Sequence, residues 1–268
     1  MIMLHCGAMA FFCESGPVTT LPLTGERTVP DVPSENYWFR RHEAAYAFAA
    51  PLVRGRSVLE VGCGEGYGAA YLRRHARGVV GIDYDELTAS HAAHRYPEVD
   101  VLRANPAALP LRAASVDAVV TLQVIEHVWN HPEFVRECRR VVRDDGVLLV
   151  TTPNRLTFSP GQDVPVNPFH TKEFTAAELV DLLTANGFVP DSVYGLHAGE
   201  RIAGLDAKYG GSFVDAQLAT PPGEWSDGLR ADVASVRTDD FPVLAAADRD
   251  VDEALDLVVL VRPGRPAS

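Results

Sequence analysis

The stretch Val58-Leu59-Glu60-Val61-Gly62-Cys63-Gly64-Glu65-Gly66-Tyr67-Gly68 decides how this chain is read. A short apolar strand breaks into a turn with glycine at every second position, and helical sequence from Ala69 to His75 follows directly. Glycine lets the backbone take positive φ and lets a ligand lie against bare main chain. A strand, a glycine turn and a helix in that order build a nucleotide-type pocket at the carboxyl end of the first strand of a doubly wound sheet.

The turn departs from a dinucleotide site. That pattern, Gly-x-Gly-x-x-Gly, uses its third glycine to pack helix on strand. Gly62 and Gly64 fill the first two places, but Tyr67 stands in the third. Glu60 and Glu65 flank the loop, where carboxylates are poor neighbours for a diphosphate and good ones for an ammonium and a sulfonium. The second strand, Gly78 to Ile82, is closed by Asp83. An acid about 20 positions after the first glycine accepts ribose hydroxyls, and Tyr84 beside it is placed to lie against a base. Asp83 and Asp85 are also candidate caps for a helix from Glu86 to Tyr96. A third strand, Val99 to Leu102, leads into Ala104-Asn105-Pro106. Pro106 has no N–H to donate, whereas Asn105 carries an acceptor and a donor on one carboxamide.

These motifs resemble those of class I S-adenosylmethionine (SAM)-dependent methyltransferases, whose first motif reads E/D-x-G-x-G-x-G. The resemblance implies SAM as cofactor and a Rossmann-like, doubly wound, mostly parallel seven-stranded α/β sheet. It places Glu60 near the methionine moiety, with Gly62, Cys63 and Gly64 presenting backbone. Asp83 falls on the ribose and Tyr84 on the adenine. Asn105 stands in the slot of a Gly-Asp-Ala segment and serves the adenine edge.

Alternation of strands and helices continues through strands Val116–Leu122, Val147–Thr151, Phe188–Tyr194 and Leu255–Val261. Phe134, Val135, Cys138, Val141 and Val142 recur at helical spacing within a helix from His131 to Val142. Thr175 with Glu178 three residues later predicts a capping box for a helix ending at Gly187. The segment from Gly195 to Asp250 is less regular and too long for an ordinary loop. It reads as a lid or substrate-binding insertion (about 195–250) before the last strand, with Trp225, Tyr209, Asp206 and Gln217 available to a carbohydrate and equally to a phenol. Residues 1–34 form an N-terminal arm and 35–268 a single domain. Within it Asn36 to Tyr46 looks helical. It is either an amphipathic cover for the sheet or a binding element in which Arg40 reaches the SAM carboxylate and Tyr37 or Trp38 closes the pocket.

An alcohol is a poor nucleophile until its proton leaves, so an alcohol acceptor calls for a base or a metal. Gln123-Val124-Ile125-Glu126-His127 follows the fourth strand at the edge where open α/β sheets bind ligands. His127 is the first candidate for the base; a histidine merely hydrogen-bonded at a helix start is the alternative. His170, in Asn167-Pro168-Phe169-His170, approaches the same edge. Glu126 and His170 complete the catalytic set, and Gln123 sits on the cofactor side. Together these four resemble the metal site of small-RNA 2′-O-methyltransferases, where Glu-x-x-Glu-His and a later His hold a divalent ion. The first Glu is Gln123 here, and losing a carboxylate weakens a hard-cation site. Magnesium or manganese held by Glu126, His127 and His170 is therefore less favoured than plain base catalysis.

A longer resemblance extends from about Leu23 to Pro263. Leu23–Pro30, Glu35–His42, Thr152–Gly161 and Asp206–Ser212 look like actinobacterial methyltransferases associated with methylglucose lipopolysaccharide. That likeness implies O-methylation of glucose hydroxyls in an intracellular α-glucan. Rival readings are methylation of a small-molecule phenol or natural product, and a SAM-binding regulator without turnover. An NAD-linked oxidoreductase is disfavoured by Tyr67 and Glu65.

Composition sets outer bounds. The 268 residues are 47% hydrophobic, enough for one full core. The net charge of −12, with no cluster of Lys and Arg, disfavours nucleic acid and anionic membrane and suits a neutral or cationic substrate; the carbohydrate or other neutral small-molecule acceptor is what the resemblance implies. Cys6, Cys13, Cys63 and Cys138 lack zinc-ligand spacing and read as reduced thiols. No apolar run reaches membrane-spanning length, and Met1 to Phe12 lacks a basic leader region. These features imply a cytoplasmic protein.

Overall fold

A computed structural model describes residues 21, 28–162 and 164–264. Most of the expected arm, including Leu23–Arg27, Cys6 and Cys13, lies outside the described residues.

The elements run α1 (Asn36–Leu52), β1 (Ser57–Val61), α2 (Tyr67–Arg73), β2 (Gly78–Asp83), α3 (Glu86–Arg95), β3 (Asp100–Arg103) and β4 (Val116–Leu122). Then come α4 (His131–Val141), β5 (Val142–Pro153), the single turn α5 (Arg155–Phe158), α6 (Ala176–Ala185) and β6 (Phe188–Leu196). The insertion holds α7 (Glu200–Lys208), α8 (Phe213–Leu218), α9 (Asp227–Ser235) and β7 (Val243–Ala245), and β8 (Asp256–Pro263) closes the chain.

The sheet has eight strands in the order β3-β2-β1-β4-β5-β8-β6-β7. This corrects the expectation of seven mostly parallel strands. β3, β2, β1, β4 and β5 pair in parallel, whereas β8 runs antiparallel between β5 and β6. The additional strand, β7, adds three antiparallel residues beside β6. Three residues are too few for a two-residue period to register in the sequence.

Side chains alternate across the sheet, as period-two geometry requires. Val58, Ala118, Val120 and Leu149 face α1, α2 and the insertion helices. Leu59, Val119, Leu148 and Val150 face α4 and α6. The central strands are apolar on both faces, as a covered parallel sheet demands. The Thr175–Glu178 capping box forms as the spacing predicts. Asp85, rather than Asp83, caps α3, its Oδ1 accepting from the Thr88 N–H at 2.8 Å. Cys63 and Cys138 are free and buried.

The insertion packs against α1. Asn36 Nδ2 donates to the carbonyls of Val233 and Val236 beyond the middle of α9. The Tyr37 ring meets Phe213 and Phe241 edge-on at 5.8 and 5.3 Å. The four residues expected to greet a carbohydrate hold this subdomain together instead. Trp225 is buried and its Nε1 donates to the carbonyls of Gln217 and Thr220. The Gln217 amide donates to the Phe213 carbonyl. Asp206 Oδ1 accepts from the Phe213 N–H, and Tyr209 Oη donates to Asp232. The insertion helices share the core on that face of the sheet, where Phe213, Trp225, Leu229 and Val233 pack with Val58 and Val120.

α1 is fastened to the last strand by a buried ion pair. The Arg41 guanidinium donates to both oxygens of Asp256, at 2.7 and 2.6 Å, and to the Leu255 carbonyl at 2.9 Å. Both side chains are almost fully covered. Removing one partner of such a pair strands a buried charge and costs about 3–5 kcal/mol. Asp256→Ala should therefore lower unfolding free energy by roughly that amount in urea titrations, whereas Asp191→Ala, which frees an exposed Arg262, should change it by less than about 1 kcal/mol.

Candidate active site

A cavity of about 620 Å³ opens at the carboxyl ends of β1, β2 and β4. Gly62, Cys63, Gly64, Asp83, Tyr84, Asn105, Gln123 and His127 all line it, so most of the residues selected from the sequence meet at one place. Lysine and arginine are absent from its described lining, which carries Glu65, Asp83 and Asp85.

The glycine turn is tied to β2. The N–H groups of Gly62 and Cys63 donate to the Ile82 carbonyl at 2.7 and 2.9 Å. The Gly64 N–H donates to Asp83 Oδ2 at 2.9 Å, and the Asp85 N–H to Asp83 Oδ1 at 3.0 Å. Gly62 sits at φ +76°, and a Cβ there would run into the Val124 side chain. Both facts require glycine. Glu65 turns away from the pocket towards α3. Its Oε2 accepts from the Tyr96 hydroxyl and the Tyr67 N–H, and its Oε1 lies 2.9 Å from His91 Nε2. It braces the loop and is not the open carboxylate that the sequence suggested.

Glu60 lies just behind the cavity wall and is 1% exposed. Tyr46 Oη, in the lining, donates to its Oε1 at 2.5 Å, while Oε2 has no partner among the described residues. Burial pushes the carboxyl up to about 8; the Tyr46 hydrogen bond pulls the other way and the charge of Asp83 adds to the rise. A buried orphan acceptor of this kind fits an incoming ammonium. With bare backbone on one side and Asp83 on the other, the residues present fit SAM.

Two residues placed here from sequence lie elsewhere. Arg40 bonds Glu43 and Asn36 on the outer side of α1, and Tyr37 is buried among aromatic rings. Neither lines the cavity. Their place is taken by His42 and Tyr46, one helical turn apart on the inner side of α1, with Thr28 and Tyr67. Thr28 Oγ1 lies 3.1 Å from His42 Nδ1 and 2.8 Å from Tyr67 Oη. Desolvation presses His42 down to about 4, so it is neutral at physiological pH. The i, i+4 spacing of His42 and Tyr46 was the signal available in the sequence.

Asn105 Oδ1 accepts from the Ala107 N–H at 2.9 Å. Half of its acceptor capacity is thus committed to its own loop, which leaves the amide donor as its stronger asset towards a ligand.

At the β4 edge Gln123 adopts φ +58°, and its amide donates to Thr151 Oγ1 at 3.3 Å. The following 3-10 turn, Ile125–His127, presents His127 to the cavity. His127 Nδ1 lies 3.0 Å from the Phe169 carbonyl. A carbonyl only accepts, so Nδ1 carries the proton and Nε2 is the basic nitrogen of the neutral ring. The His170 ring stands edge-on at 5.0 Å. Its Nδ1 meets Glu173 at 2.8 Å and its Nε2 meets Asn167 Nδ2 at 3.1 Å. Glu126 is buried, accepts from the Thr152 hydroxyl at 3.0 Å, and is pushed by burial up to about 8.

The ligating atoms of Glu126, His127 and His170 lie within 4.8 Å of one another, so these three could hold a divalent ion. Two features oppose it. Gln123 turns its amide to Thr151 instead of adding an oxygen anion. Asn167 Oδ1 accepts from the Phe169 N–H, which orients its amide N–H at the lone pair of His170 Nε2 that a metal would need.

Known proteins resemble this chain in sequence and in fold. The family model of the methyltransferase domain matches residues 59–150. A probable SAM-dependent methyltransferase of Mycolicibacterium smegmatis is 55% identical over 248 residues, 91% of this chain and 96% of that protein. Its counterpart in Mycobacterium tuberculosis is 54% identical over 247 residues, covering 91% and 90%. Among solved structures, a Thermotoga maritima SAM-dependent methyltransferase superposes with a TM-score of 0.58 at 21% identity, over 85% of this chain and 93% of that one, a likeness of fold alone.

A cationic ligand needs Glu60 ionised, whereas below about pH 8 the buried carboxyl holds its proton. SAM affinity should therefore rise from pH 6 to 8, by about tenfold per unit at most, with proton uptake by the buffer. Titration calorimetry in buffers of different ionisation enthalpy reads both effects, and Glu60→Gln should abolish the pH slope. Asp83→Ala should weaken SAM binding by roughly 10- to 100-fold, the loss expected for hydrogen bonds to a charged acceptor.

Proposed function

The chain belongs to the SAM-dependent methyltransferases, and from that premise we propose that it methylates a sugar hydroxyl, with His127 as the base. The acceptor we favour is glucose in an intracellular α-glucan of the methylglucose lipopolysaccharide kind. The observation that carries this reading is the tautomer of His127: a basic Nε2 on a ring that lines the cofactor cavity.

SAM supplies the methyl group on a sulfonium whose positive charge drives an in-line displacement. The rest falls to the chain. Gly62 to Gly64 and Asp83 fix the donor end, and Glu60 balances its charge. His127 orients the acceptor hydroxyl and takes its proton as the oxygen attacks. The Phe169 carbonyl, accepting from Nδ1, steadies the imidazolium that results. His127 is half-exposed, so its proton can pass on to water. A cavity lined with acids and without described lysine or arginine supports a neutral acceptor over a phosphorylated one. The free thiols of Cys63 and Cys138 support a reducing, cytoplasmic setting.

His127→Ala should leave SAM affinity nearly intact and cut turnover by about 10²–10⁴-fold. Mass spectrometry of an α-glucan oligomer series incubated with enzyme and labelled SAM should show methylated hexose; exclusive labelling of a phenol would replace the sugar reading. Treatment with EDTA should leave turnover unchanged. Loss of activity with rescue by Mg²⁺ or Mn²⁺ would give Glu126, His127 and His170 to a metal instead.

A further inference from the structure

Two residues beyond His127, Trp129 is 90% exposed and lines the cavity mouth. An indole is among the most costly side chains to leave in water, and in a binding module such a ring is where a ligand face is laid. The neighbouring surface is apolar as well. The loop after β5 leaves Val164, Val166 and Phe169 exposed. That loop is bonded edge to edge with the Trp129 loop, through the Phe169 carbonyl on His127 and through Thr171 Oγ1, which donates to the Val128 carbonyl at 2.6 Å. Exposed apolar side chains therefore lie both at the cavity, on Trp129, and on the loop whose Phe169 carbonyl holds the proposed base.

We infer that Trp129 is the platform on which the sugar ring bearing the reacting hydroxyl stacks, with the rest of an oligosaccharide lying along the Phe169 loop. This assignment rests on the sugar-hydroxyl reading and deepens it. A hexopyranose has an apolar C–H face that suits an indole and a hydroxyl edge that suits a base. Stacking one face on Trp129 turns that edge towards His127. The openness of the site argues for a chain rather than a small aromatic acceptor. A phenol gains most from an enclosed slot, whereas Trp129 is open to solvent and further apolar side chains are exposed on the Phe169 loop bonded to its own. The absence of lysine and arginine from the described lining again fits an uncharged acceptor.

The test uses maltohexaose, an α-glucan oligomer, with the full-length protein saturated with S-adenosylhomocysteine. Trp38 is partly buried and Trp225 buried, so the red-shifted emission belongs to Trp129. Maltohexaose should shift that emission to the blue, and the shift should vanish in W129F. In turnover, W129A and W129L should lower kcat/KM by about tenfold, carried by KM for the glucan, as expected for loss of one stacking contact. W129F should restore most of it, because an aromatic face rather than mere apolar cover is what matters. SAM affinity should be unaltered in every variant. If wild-type protein methylates the glucan and W129A does so with the same KM, the platform is wrong and the sugar reading stands. If the wild type neither binds nor methylates the glucan, both fall.

Discussion

A carboxyl group with one unmatched oxygen, buried at the end of β1, is the constraint around which the rest is arranged. Burial pushes the Glu60 carboxyl up to about 8 and Oε2 has no partner among the described residues, a cost that a bound cation would relieve. The protein partner of Glu60, Tyr46, comes from α1, which crosses α2 on one face of the sheet. The crossing is tight: a Cβ on Gly68 would occupy the place of the Tyr46 ring. Small residues in the first turn of α2 are thus as necessary to the site as the glycine turn itself. α1 is in turn held from outside, by Arg41 on Asp256 and by the aromatic cluster of Tyr37, Phe213 and Phe241. None of the described residues between 195 and 250 lines the cavity. The insertion instead packs on α1, which carries Tyr46.

Much of this was legible in the sequence because it is written in local patterns. The glycine spacing, the acid closing β2 and the capping box at Thr175 each depend on residues a few positions apart, and each lies where it was read. What failed depended on direction. Arg40 and Tyr37 have the chemistry that suits a carboxylate or a lid. A helix presents one face per 3.6 residues, however, and the cavity face of α1 is the one holding His42 and Tyr46. Arg40 therefore points at Glu43, and Tyr37 into the core. The same error recurs in the insertion, where Trp225 and Gln217 have the right chemistry for a sugar and the wrong orientation. Glu65 shows that proximity is not availability: it stands in the motif, yet Tyr96, His91 and the Tyr67 N–H occupy it.

The β4 edge explains why donor and base stay in register. A glutamine at φ +58° costs of the order of 1–3 kcal/mol. The surrounding bonds sustain it: the Gln123 N–H donates to the Thr151 carbonyl and its amide to the Thr151 hydroxyl. The strained turn swings Val124 onto Gly62, where any side chain would collide with it. Main chain of the glycine turn and side chain of the β4 loop are thereby locked against each other. His127 follows three residues later in the same short turn, its ring pinned by the Phe169 carbonyl. The separation between the cofactor cradle and the proposed base is thus set by backbone contacts and the packing of Val124 on Gly62, not by a long flexible side chain. For an in-line displacement, where a small misplacement costs orders of magnitude in rate, that rigidity gives the local strain a chemical purpose.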